Sequence, residues 1–262
     1  MFSVDRYLQR LGIATPIGPP SRQLLTDLQL AHLIKVPFEN LHVFHRRGVR
    51  LDVDWAYSKI VEDGRGGWCF ELNSCFAELL RRLDFKVDCV SCQVWEADLG
   101  DWGPPDDHLA LVVHLDGVRW FVDVGFGDCC IHPLRLQDGD LAAVPRPARI
   151  ELCDGTFTLT ELMSTGGTRA EWQPQLRVDL RPAEAIRFDR RSNYLQTEPG
   201  LSWTEKAFAT RALDAAGSRV TLRMDVLRQR VGTAEFVEQS VARESWAGVL
   251  LHHFSLVDSN VR

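Results

Sequence analysis

The chain has 262 residues, 45% of them apolar and 25% charged, which is enough length and apolar content for a sizeable globular core. A net charge of -6, with acids and bases interspersed, argues against a nucleic-acid footprint or a polybasic membrane surface. Seven irregularly spread cysteines argue against a disulfide framework; with no signal-peptide pattern at the start and no apolar run of spanning length, the expected location is the cytoplasm.

The first third reads as helical. A short helix over 4–11 ends at Gly12, and Ser21 caps a second that carries Leu24, Leu25, Leu28 and His32 on one side. Val36-Pro37 interrupts it, because the residue before proline is pushed out of helical geometry. Arg46, Arg47 and Arg50 form a small basic cluster in a solvated loop, and a third helix over 54–62 feeds the turn Arg65-Gly66-Gly67. Cys69 opens a fourth helix, whose apolar face is Leu72, Phe76, Leu79, Leu80 and Leu83. A thiol in that place sits at the positive end of the helix dipole among unpaired amides, and both favour the thiolate. The competing reading is a buried structural cysteine after a flexible turn.

After Asp84 the period changes to alternation, and a strand runs over 86–95. Cys89-x-x-Cys92 lies inside it with no second pair, so it reads as strand rather than as a zinc or redox site. A loop over 98–107 leads to two β-rich runs joined by Asp116-Gly117, a strong hairpin signal. Counting outward from a two-residue turn places Leu115, Val113, Leu111 and Leu109 opposite Val118, Trp120, Val122 and Val124 on one apolar face. His108 and Asp123 then fall on the other face as diagonal neighbours, about 7–8 Å apart along the backbones, a gap two polar side chains can close. Either alone reads as a structural group; with Cys69 they are the parts of an activated thiol nucleophile.

Four blocks, Val36-Pro-Phe-Glu-Asn-Leu41, Arg65-Gly-Gly-Trp-Cys-Phe-Glu-Leu-Asn73, the His108 strand and Asp123-Val-Gly-Phe-Gly127, resemble the arylamine N-acetyltransferase family in composition and order. The resemblance implies an α+β fold: an N-terminal helical bundle over 1–85 carrying the cysteine, a central antiparallel β-barrel over 86–190 carrying histidine and aspartate, and a C-terminal α/β lid over 191–262. The core of such a fold resembles that of cysteine proteases and transglutaminases. It further implies Cys69, His108 and Asp123 as a catalytic triad, acetyl-coenzyme A as co-substrate without a metal, and an arylamine, hydrazine or N-hydroxyarylamine as acceptor. The Cys69 amide is the first candidate for an oxyanion donor. Glu39 and Arg65 match positions of a buried charge pair that ties two helices together. Phe38 and Phe126 match an acceptor pocket, with Trp95 as a weaker candidate; ordinary core packing is the alternative for these rings.

The remaining chain is less specific. Asp154-Gly155 marks a hairpin within 150–162, and Ser164-Thr165-Gly166-Gly167-Thr168 reads as a plain loop rather than a phosphate cradle. Arg187, Arg190 and Arg191 form a solvated face, 219–231 and 234–241 read as strands, and 244–254 as a closing helix. The same three residue types in this order also serve transglutaminase-like enzymes and thiol hydrolases that take an amide donor, and a non-catalytic binding protein is a third reading. Preferred acceptor, oligomeric state and the coenzyme groove are not readable from the residues.

Overall fold

The computed structural model describes residues 1–164 and 170–257. The early helices start where a short polar side chain caps them. Ser3 accepts from Arg6 N before Val4–Leu11, Ser21 from Leu24 N before Arg22–Lys35, and Asp52 from Trp55 N before Val53–Tyr57. Pro37 holds Val36 in extended backbone, and the chain does more than interrupt the helices there, because Phe38–Glu39 forms a two-residue strand. The expected third helix divides into Val53–Tyr57 and a single π-helical turn, Ser58–Glu62. Helix Cys69–Arg82 follows, buried on most sides.

The alternating stretch is one long strand, Lys86–Glu96, with the short strand Asp101–Trp102 on its far end. Cys89 and Cys92 fall on opposite faces of it, Cys92 buried among the apolar side chains inside the sheet and Cys89 beside Arg81, which rules out a shared metal. Among the described residues this strand lies within a nine-stranded antiparallel sheet that curls into a nearly closed barrel. The hairpin His108–Leu115 and Val118–Val122 has the counted register, with Leu115 opposite Val118 and Leu111 opposite Val122. Cys153 likewise faces Thr156 across Asp154-Gly155.

A second sheet of five strands takes Phe38–Glu39 as its edge, followed by Phe208–Ala212, Arg219–Arg223, Val226–Arg230 and Val237–Ser240. The run 219–231 is therefore a hairpin, turned at Met224, which takes a left-handed φ of 51°. Arg187 and Arg191, on helix Ile186–Thr197, are not merely a solvated face. They donate to Asp106 and Asp107 at 2.6 and 2.7 Å and so tie that helix to the loop before His108. Helix Trp246–Phe254 closes the described chain as expected.

The hairpin separates two buried clusters. Leu109, Leu111 and Val113 pack against Leu72 and Phe76 of the Cys69 helix, while Ala110 and Val112 fill the barrel with Phe121, Phe157 and Leu176. A third cluster joins the second sheet to the last helix through Ala209, Leu222, Leu250 and Phe254. Bundle, barrel and lid thus follow in the expected order. Among the described residues no helix is long and apolar enough to cross a membrane. Residues 165–168 of the glycine-rich stretch lie outside the described residues.

Candidate active site

The approach to Cys69 is built from two backbones pressed together. A Cβ on Gly66 would overlap the Pro37 carbonyl oxygen, and Phe38 bridges Gly67 as a parallel partner, so strand and turn form one unit. Cys69 is the first residue of its helix, after Trp68 as N-cap. Glu71 reaches back to accept from Trp68 N at 3.2 Å, and Lys59 Nζ donates to both Glu71 oxygens at 2.9 and 2.8 Å. The implied Glu39–Arg65 pair is not formed. The π-helical turn places Lys59 inside, 3.9 Å from Glu39 Oε1, while Arg65 Nη1 donates outward to the Val257 carbonyl.

His108 Nε2 and Asp123 Oδ2 lie 2.6 Å apart, both buried. The expected pairing of Leu109 with Val124 is replaced by an inserted amide. Asn73, one turn along the Cys69 helix, donates to the Leu109 carbonyl at 2.7 Å and accepts from Val124 N at 3.0 Å. Its amide also donates to Asp123 Oδ1 at 2.9 Å, and Gly125 N donates to the same oxygen at 2.8 Å. The hairpin is opened at this end, and the carboxylate is held from three sides. A Cβ on Gly125 would come within 2.7 Å of Cys69 Cα, so the helix start rests directly on the loop that carries Asp123. Burial works against a charged imidazole at His108. The Asp123 carboxylate, with the Cys69 side chain within electrostatic and hydrogen-bonding reach, outweighs burial and raises the ring to about 10.

Phe126 stands edge-on to His108, with ring centroids 5.2 Å apart. Phe38 meets Phe208 at 5.2 Å and Trp203 at 6.1 Å, and Trp203 meets Trp68 at 5.8 Å. Gly127 links the two groups, since a Cβ there would sit 3.5 Å from the Phe38 ring. Trp203 and Phe208 escaped the sequence reading because they lie in the weakly patterned lid. Asn40 holds that segment, donating to the Trp203 and Lys206 carbonyls, each at 2.8 Å, and accepting from Phe208 N at 2.9 Å. Trp95 does not join these rings. It packs on Trp102, on the sheet face opposite His108, because Cys92 pairs with His108 and three residues on a strand reverse the face.

Beyond Phe126, Asp128 faces three guanidinium groups, with Arg230 at 2.6 Å, Arg146 at 2.9 Å and Arg219 at 3.2 Å. Cys129, Cys130 and Glu161 converge beside it, but Glu161 is already taken by Arg146 at 2.5 Å and by the Cys130 thiol at 3.3 Å.

The chain that carries this site has counterparts among known proteins. The family model described as N-acetyltransferase matches residues 23–260. The arylamine N-acetyltransferase / N-hydroxyarylamine O-acetyltransferase of Salmonella typhimurium is 39% identical over 132 residues, a stretch covering 50% of this chain and 46% of that protein. Arylamine N-acetyltransferase 2 of Mus musculus is 25% identical over 94% of this chain and 91% of its own length. The solved structure of the Salmonella typhimurium arylamine N-acetyltransferase superposes with a TM-score of 0.88 at 27% identity, covering 98% of this chain and 93% of that one. Matched over most of its length in sequence and nearly all of it in fold, the chain belongs to the arylamine N-acetyltransferase family.

Proposed function

We propose that this chain moves an acetyl group from acetyl-coenzyme A to an arylamine, hydrazine or N-hydroxyarylamine in two steps that share a thioester on Cys69. The observation that carries this reading is the seating of Cys69 on Gly125, which sets the thiol against an imidazole kept charged by a buried carboxylate. In the first step the Cys69 thiolate attacks the acetyl carbonyl, the bond to the coenzyme sulfur breaks, and His108 gives its proton to the departing thiolate. In the second, the acceptor nitrogen or oxygen attacks the thioester while His108 takes its proton. The Cys69 thiolate leaves, and the charged pair is restored. Asp123 fixes the ring's orientation in both steps. In this reading the Cys69 amide, at a helix start with no intrahelical partner, donates to the tetrahedral oxyanion. Phe38 and Phe126, extended by Trp203 and Phe208, supply flat apolar surface for an aromatic acceptor. A reducing, cytoplasmic setting fits the free thiols.

The deciding experiment is intact-protein mass after brief exposure to acetyl-coenzyme A without acceptor, with peptide mapping. One acetyl group on Cys69, absent in Cys69→Ala and discharged by an added arylamine, is the expected result. A folded protein whose Cys69 alkylates readily yet takes no acetyl group would overturn the donor and point instead to an amide donor.

A further inference from the structure

The Cys69 helix begins over a charge cluster that the proposed chemistry does not use. Lys59 comes from the π-helical turn, Glu71 from the first turn of the helix and Glu39 from the strand beside the rings, with side-chain exposures of 3%, 1% and 0%. Besides meeting Lys59, each carboxylate serves a backbone amide: Glu71 accepts from Trp68 N at 3.2 Å and Glu39 from Leu41 N at 2.5 Å. A lone π turn is rare and recurs at functional sites. Here it aims an ammonium at the cap of the helix that starts with Cys69.

A first-turn carboxylate is favourable to a helix, since it satisfies an unpaired amide and suits the dipole. As a full negative charge two residues from a thiol, it also opposes the thiolate. Burial pushes Glu71 towards its neutral form, and a protonated carboxyl would be a weaker acceptor for Trp68; Lys59 works against both. The other titratable groups facing Cys69, Glu71 and Lys59 are His108 and Cys92 on the sheet, with Asp123 behind His108, Glu39 and His42 near Lys59, and Cys75 near Glu71. None of these replaces the ammonium at Glu71.

We propose that Lys59 is a positioning residue for Cys69, acting through Glu71: it fixes the cap at Trp68 and cancels the charge of the first-turn carboxylate, leaving the thiolate to the helix start and His108. The inference rests on Cys69 being the nucleophile. The test follows alkylation of Cys69 by iodoacetamide against pH, mapped by peptide mass, together with single-turnover acetylation. In Lys59→Met the alkylation midpoint should rise by about one pH unit and acetylation slow about tenfold, with KM for acetyl-coenzyme A within about twofold of the parent. Lys59→Met combined with Glu71→Gln, which keeps an acceptor for Trp68 but removes the charge, should recover to within about threefold. A folded Lys59→Met with the parent alkylation profile would overturn the proposal. Should that variant not fold, Glu71→Gln takes its place: with the cap acceptor kept and Lys59 facing no carboxylate at that position, the midpoint should fall by about half a pH unit, and an unchanged profile overturns the proposal equally. Absence of acetylation in the parent itself, alongside the expected alkylation shift in Lys59→Met, would count against acetyl-coenzyme A as donor, not against Lys59, so the two readings fail separately.

Discussion

Asp123 and Gly125 carry different burdens within two residues of each other. Asp123→Asn keeps the shape but removes the charge that holds the imidazole, and acetyl-enzyme formation should fall on the order of 10³-fold, read by single-turnover mass measurement. The same charge links stability to pH. Because the folded ring is raised from about 6.5 to about 10, its contribution is fully present below about pH 6.5 and is lost as pH climbs through about 10. Urea midpoints of the parent should therefore decline over that window, and those of Asp123→Asn should decline less. Gly125→Ala acts by displacement, since the added methyl meets Cys69 Cα at 2.7 Å and the backbone there cannot swing aside. Activity should drop about 10²-fold, with a smaller loss of thermal stability; equal activity would mean that Cys69 does not need this contact for the proposed attack.

At the level of elements, the Asn73 amide joins the helix to the hairpin. Asn73→Leu would leave the Leu109 carbonyl, the Val124 amide and one Asp123 oxygen without that partner inside the protein, and should cost about 2–4 kcal/mol in urea unfolding. This junction shows how far the sequence could be read. Alternation and Asp116-Gly117 were sufficient for the hairpin and for the approach of His108 to Asp123, because register follows from side-chain period and turn length. Nothing local indicated that the ladder would stop at Leu111 and Val122, since the cause is a side chain 36 residues before Leu109. The substitution of Lys59 for Arg65 as the partner of Glu39 was hidden for a similar reason, as a π turn carries no periodic signature. Trp203 and Phe208 come from a segment whose elements are too short to show a pattern, so their convergence on Phe38 emerges only once the second sheet is assembled.

Across the whole molecule, Asp128 ties the barrel to the second sheet. Arg146 reaches it from the barrel side, and Arg219 and Arg230 from neighbouring strands of the other sheet. Burial alone would raise this carboxyl. Arg230's hydrogen bonds and the charges of Arg219 and Arg146 hold it down to about 2, so its contribution is present above about pH 4 and is lost as pH falls through about 2. Asp128→Ala would leave three guanidinium groups facing one another and should cost about 3–5 kcal/mol at neutral pH by calorimetry or denaturant titration. The edge strand Phe38–Glu39 ties the helical bundle to that same second sheet, because its antiparallel neighbour is Thr210 and Ala209. During synthesis a ribosome delivers the thiol, the imidazole and the carboxylate ahead of Trp203 and Phe208, for which Phe38 still waits. On the proposed reading a nascent chain thus holds its chemistry before it holds the wall for an acceptor, and competence arrives only once Phe208 has been made.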